Sequence, residues 1–269
     1  DFQFAEYSFS KQSLLRIDVK YRDQFLVKYV YGFNSSDHIY FVTVQKQSHK
    51  AGHEEKGFVT RLARSCITDA NYDTYTEVTL ECTDRSTGKT YNLINDAVFQ
   101  DSSRGLYDVM GLRSNESFLV GSFSQSDGYT DQPRNDTAIC IFSLSQIEQL
   151  FNENIHRCFN GSMSERNMEY ISGPIQEGKC PDVGSSGNIL NFCEIGLKIS
   201  GVMSIAVEPF FTLPNHLGQA LYFSLERQYD ILYIGTAGGF VFRVLLNDNA
   251  RILSELPVYD GQQILDVHV

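Results

Sequence analysis

The chain has 269 residues, 42% hydrophobic and 20% charged, with a formal net charge of −11. That is enough for one large β domain or two small ones with a real core, and too apolar for an intrinsically disordered chain. The acidic balance argues against nucleic acid as a partner, because phosphate binding needs a Lys/Arg face and no basic cluster stands out along the chain.

The opening "DFQFAEYSFS" has neither a Met nor the basic-then-apolar pattern of a signal peptide, so the chain is expected to come from inside a longer protein. The runs that follow are "HIYFVTVQK", "GFVTRLARS", "TYTEVTLEC", "KTYNLINDAV", "SFLVGSFSQ", "TAICIFSL", "QALYFSLER", "DILYIGTAG" and "FVFRVLL". All are short, rich in β-branched and aromatic residues and separated by Gly, Asn, Asp and Ser, which predicts strands. One helix interrupts them: "LSQIEQLFNENIHRCF" places Ser145 three residues before Glu148, a capping box, and aligns Ile147, Leu150, Phe151 and Ile155 on one face. Residues 158–193 then carry little strand signal and three of the six cysteines, so covalent staples are expected to order them. The most apolar stretch, "IGLKISGVMSIAVEPFFTL", contains Lys198, Glu208 and Pro209 and is rejected as a membrane span.

Regular short strands mean a sandwich, a barrel or a propeller. Ile39 and Phe41 alternate with Tyr40, Val42 and Val44, and Ile231 and Tyr233 with Leu232 and Ile234. Strands apolar on both faces suit sheets stacked on both sides, as propeller blades are, rather than a sheet with one wet face. The fold class is therefore all-β, a propeller with heavily decorated blades. Its repeat is too irregular for WD40, and the chain has no Trp.

The six cysteines (Cys66, Cys82, Cys140, Cys158, Cys180 and Cys193) fit no zinc spacing and are compatible with three disulfides. Sequons at Asn34, Asn115, Asn135 and Asn160 are candidate N-glycosylation sites, and together these features favour an oxidising, secretory compartment. In "HKAGHEEK", His49 and His53 would share a zinc on a helix, but Gly52 and Gly57 make the stretch a polar hairpin loop. "GTAGGF" at 235–240 follows a strand without opening a helix, so it reads as a tight turn and not as a phosphate cradle. "GSSG" at 184–187 lacks the hydrolase elbow. No catalytic constellation, metal site or cofactor site emerges, and the chain is read as a non-enzyme.

Taken together, "KYVYGFNSSDHIYFVTVQ", "TRLARSCITDANYDTYTEVTLEC", "TAICIFSLSQIEQLFNENIHRCF" and "DILYIGTAGGFVFRVLL" resemble the sema domain of plexins, the transmembrane receptors for semaphorins. The receptor kinases for hepatocyte growth factor and macrophage-stimulating protein look similar, but less so. The resemblance implies the C-terminal half of a seven-bladed propeller spanning residues 1–269, with the N-terminal blades missing and the end "ILDVHV" stopping within a strand. Residues from about 145 to 200 would form a helical, disulfide-rich insertion of the kind used in sema-domain contacts. Spacing alone leaves fifteen cysteine connectivities open. The resemblance selects Cys66–Cys193, Cys82–Cys140 and Cys158–Cys180.

The function so implied is semaphorin recognition by a single-pass cell-surface receptor ectodomain in axon guidance and cell signalling. Sema–sema homotypic contacts would be a second mode, and the membrane would be reached only through a segment outside this chain. The alternatives are a semaphorin ligand or growth-factor-type receptor and, more remotely, a secreted propeller enzyme.

Overall fold

The computed structural model describes residues 16–101, 104–111, 116–172, 179–180, 192–195, 198–226, 229–247, 250–258 and 261–268. In chain order, its elements begin with β1 (Arg16–Ile17), β2 (Val27–Ser35), β3 (His38–Lys46), a 3-10 turn (Glu54–Lys56), β4 (Phe58–Cys66), β5 (Thr76–Asp84), β6 (Lys89–Tyr91) and β7 (Leu93–Asp101). Then come α1 (Arg104–Met110), β8 (Ser117–Ser124), β9 (Asp136–Ser143), α2 (Leu144–Phe159), β10 (Ile171–Ser172) and α3 (Phe192–Ile195). The last are β11 (Ile199–Val207), β12 (Phe211–Pro214), β13 (Gly218–Glu226), β14 (Tyr229–Thr236), β15 (Phe240–Leu245) and β16 (Arg251–Pro257).

Three antiparallel four-stranded units result, in the orders β2-β3-β4-β5, β7-β8-β9-β12 and β13-β14-β15-β16. The first strand of each unit contacts the first strand of the next, β2 with β7 and β7 with β13. The sheets therefore fan out from a common inner edge as successive propeller blades, which bears out the fold class.

The middle blade shows why the sequence is apolar on both strand faces. From β8, Leu119 and Phe123 enter the core shared with the first blade, while Phe118 and Val120 enter the core shared with the third. From β9, Ala138, Cys140 and Phe142 take the first side, and Ile139 and Ile141 the second. With a period of two, neighbouring side chains leave the strand on opposite faces, so a blade sandwiched between blades needs apolar side chains on both, and its few buried polar residues are small ones such as Ser122 and Thr137. Each fully buried aliphatic or aromatic side chain contributes about 1.5–3 kcal/mol to closing the stack.

Six strands carried too weak a local signal to be predicted as such: β1, β2, β10, β11, β12 and β16. The single run "KTYNLINDAV" is two strands, split at Asn92. There the Asn92 Nδ2 donates to the Phe58 carbonyl (2.8 Å) and to Ser126 Oγ (3.1 Å), pinning the crossing from the first blade to the second. The rejected membrane stretch is β11 followed by β12, and among the described residues no helix is long and apolar enough to cross a membrane.

Candidate functional site: the insertion docked on the first blade

Between β9 and β12 the chain leaves the second blade and returns as its outer strand. The excursion starts with α2, whose apolar stripe is buried as predicted, with Asn154 and Cys158 on the same face. The cap is not where the sequence pattern put it. Ser143, with extended backbone, is the N-cap, and its hydroxyl accepts from Gln146 N. Glu116 accepts from the Ser145 N–H (2.8 Å) and from the Ser143 hydroxyl (2.6 Å).

Glu148 is thereby released from capping and reaches the first blade. It accepts from Arg64 Nη1 (2.5 Å) in β4 and from the Tyr40 hydroxyl (2.7 Å) in β3. Arg64 is 2% exposed and its guanidinium lies 4.5 Å from the Phe151 ring centre, so one helix supplies both the counter-ion and the π-face. Burial lowers the Arg64 pKa, and Glu148 opposes that shift. Burial, reinforced by Glu148, raises the Tyr40 phenol well above its ordinary range. A charged residue in the apolar run "FVTRLARSC" was the sequence signal for this contact, since a buried Arg requires a partner.

A second polar anchor sits on the far face of the first blade. Glu77, in β5, accepts from the hydroxyls of Tyr75 (2.9 Å) and Tyr170 (2.5 Å) and from Gln45 Nε2 (3.2 Å). Tyr170 belongs to the insertion, so this carboxylate joins blade and excursion. Burial and then Glu77 push both tyrosine pKa values up. Lys198, 3% exposed, reaches Asp73 at 3.0 Å just before β11.

β11 then adds to the first blade as a fifth strand, parallel to β5. Its register is broken between Ser200 and Ser204; on the opposite side of β5, β6 pairs with Cys82–Asp84, beyond the residues that β4 takes. At the break, a Cβ on Gly201 would lie 2.1 Å from Asn154 Cγ, so only glycine lets α2 approach. Disulfides tie the module further. Cys66–Cys193 joins β4 to α3, Cys158–Cys180 closes the stretch after α2, and Cys82–Cys140 joins the first blade to the second.

The remaining sequence candidates lie apart from one another. Asn34, Asn135 and Asn160 are exposed. Asn34 sits near the end of β2, paired with Ile39, Asn135 just before β9 and Asn160 at the C-cap of α2; Asn115 and the "GSSG" stretch lie outside the described residues. His49 and His53 occupy the β3–β4 loop but face different partners, Glu169 Oε2 at 3.5 Å and Ser48 Oγ at 3.0 Å. "GTAGGF" is the β14–β15 turn, with Gly239 at φ 84°. Among the described residues, the three-residue grouping of metal-ligating types is His38 with Cys66 and Cys193, and both sulfurs are consumed by their disulfide.

Residues 104–268 match the sema domain family model. The chain belongs to the sema domain family. Within that family it is similar to plexin A3 of Danio rerio, 26% identical over 259 residues, which covers 90% of this chain and 13% of that protein. Human plexin-A3 gives the same 26% over 257 residues. The chain thus spans about 13% of the length of the curated relatives it matches. Among solved structures, the plexin A4 extracellular region superposes with a TM-score of 0.78 at 21% identity, over 92% of this chain and 25% of that one. Drosophila plexin A, solved in complex with semaphorin 1b, superposes with a TM-score of 0.57 at 18% identity, over 90% of this sema chain and 51% of that one. At such identities these structures carry the fold, and the fold is the sema propeller.

Proposed function

We propose that this chain is part of the ligand-binding propeller of a plexin-like cell-surface receptor, and that it recognises a semaphorin through blade-edge loops without catalysing a reaction. The observation that supports this most is the likeness to plexin A3, which extends over 90% of the chain and so takes in the insertion as well as the blades. A relative of the same fold, Drosophila plexin A, was solved with semaphorin 1b bound.

In this reading the three sheets are consecutive blades of a larger propeller whose other blades lie outside residues 1–269. The excursion from α2 through β11 is its contact insertion. Binding energy would come from a few buried anchors rather than from total contact area. The acidic total would meet a basic partner surface and act more on association rate than on affinity. Extracellular placement, with glycans on Asn34, Asn115, Asn135 and Asn160, belongs to the same proposal and is checked by peptide mapping of secreted material.

The deciding experiment is a cell-surface binding assay. Cells expressing the full-length protein that carries this chain are incubated with a panel of labelled semaphorin ectodomains. Saturable binding of at least one semaphorin, lost on removing the insertion, supports the reading. Binding of none refutes it.

A further inference from the structure

The β3–β4 loop, the insertion around Asn167–Tyr170 and the β11 break enclose a cavity of about 350 Å3 on the far face of the first blade. That volume lies in the range of small-molecule sites. Lys46, Lys50, Lys56 and Arg61 line it, against the carboxylates Glu81 and Glu169. The excess is positive in a chain whose net charge is −11. Among the described residues none of these four cations ends in a salt bridge, and Glu169 Oε2 meets His49 Nε2 at 3.5 Å, an imidazole whose pKa burial lowers, so the two carboxylates offset only part of the four positive charges. The positive charges left in excess around one concavity repel each other, although Glu54 lies within electrostatic reach of Lys46, and an anion placed between them relieves that repulsion.

The donors also discriminate between anions. Arg61 commits Nη1 to Thr79 Oγ1 (2.7 Å), and its Nε is buried without an acceptor. Its side-on fork is therefore closed to a planar carboxylate, and it contributes charge rather than bidentate geometry. Three lysines on flexible stems are point charges that suit a tetrahedral oxyanion approached from any direction. Gln47 and Asn167 add neutral donors to the wall. Phe25 and Tyr170, stacked at 4.4 Å between ring centres, supply an apolar surface beside them. Oxyanion charge, scattered hydroxyl partners and an apolar face belong together on a sulfated sugar.

We propose that this cavity binds a sulfated saccharide unit through Lys46, Lys50, Lys56 and Arg61. Such a site goes beyond semaphorin recognition and stands whether or not that reading holds. Sequence position concealed it, because the four cations are spread across a strand end, a loop and the next strand.

The test is titration of the full-length protein with a sulfated glycosaminoglycan tetrasaccharide, its chemically desulfated counterpart, inorganic sulfate and a glutamate-rich peptide. The expected result is salt-sensitive binding of the sulfated tetrasaccharide alone. The Lys50→Glu/Lys56→Glu double variant should weaken it about tenfold, exposed ion pairs being individually weak. Both lysines are exposed, so the variant should melt as the parent does, while Lys28→Glu on the exposed part of β2 should bind as the parent does. Four outcomes overturn the proposal: equal binding of the desulfated sugar, displacement by equimolar inorganic sulfate, equal affinity for the acidic peptide, or a double variant that binds unchanged.

Discussion

Glu148 meets Arg64 across an element boundary, so its truncation leaves a buried guanidinium without its counter-ion. Glu148→Ala should destabilise the fold by roughly 3 kcal/mol, read as a lower melting temperature, since breaking a buried pair costs far more than the pair itself contributes. Glu148→Gln keeps an acceptor for Arg64 and should cost less; equal losses would show that the charge is not what matters. The imidazoles give a pH prediction. Burial lowers His49 and His38 below their ordinary value of 6.5, outweighing the opposing Glu169 for His49 and Glu148 and Asp37 for His38. Between the lowered folded value and 6.5 the unfolded chain binds more protons than the folded one, so stability is full above 6.5 and falls as pH drops below it. His49→Gln should flatten part of that acid limb in pH-dependent melting, and an unchanged limb would remove His49 from the explanation.

At the scale of elements, α2 and β11 approach each other through Gly201 and Asn154. Adding one methyl group there overpacks the contact, so Gly201→Ala should cost about 1–3 kcal/mol. Asn154 is 1% exposed, and its side-chain oxygen and nitrogen have no hydrogen-bond partner among the described residues. Asn154→Ala should therefore be near neutral or stabilising, and should rescue Gly201→Ala in a double-mutant cycle. Additive losses in denaturant unfolding would show that the two residues do not share this contact. The helix was legible to the residue in its span and its buried stripe, because period and apolar content are local properties. Its cap was not: Ser143 and Ser145 are both acceptable caps, and Glu148 could serve either the helix end or Arg64. Only the position of β4 decides between them.

Across the whole molecule, the outer blades differ from the middle one in what covers their far faces. On the first blade, Phe25, Tyr170 and Ile171 are buried against Ala63 and Tyr75, so residues of the entering chain and of the insertion close that side. On the third, Tyr229 is 54% exposed and Ile252 43%, beside an open cleft of about 1060 Å3. Residues 1–269 expressed alone should therefore self-associate through this face. Light scattering that found a monodisperse, cooperatively melting monomer would contradict this. Disulfide mapping of secreted, non-reduced material should return Cys66–Cys193, Cys82–Cys140 and Cys158–Cys180; free thiols or a Cys66–Cys82 bond would refute the tethered insertion.

The sequence by itself determined the class of fold, ten of the strands (as nine runs), the long helix α2 and the family, whereas α1 and α3 were not foreseen. What it determined depends on alternation, period and motif order, which are properties of neighbouring residues. β11 escaped it because its partner, β5, is more than a hundred residues away and the pairing is parallel, with no turn to announce it. The pairings of Arg64 with Glu148 and of Glu77 with Tyr170, and the gathering of Lys46, Lys50, Lys56 and Arg61 around one cavity, were likewise decided by tertiary structure. Each depends on which distant side chains the blades and the insertion bring within a few ångströms, and electrostatic and hydrogen-bond energies act over that range and no further along the chain.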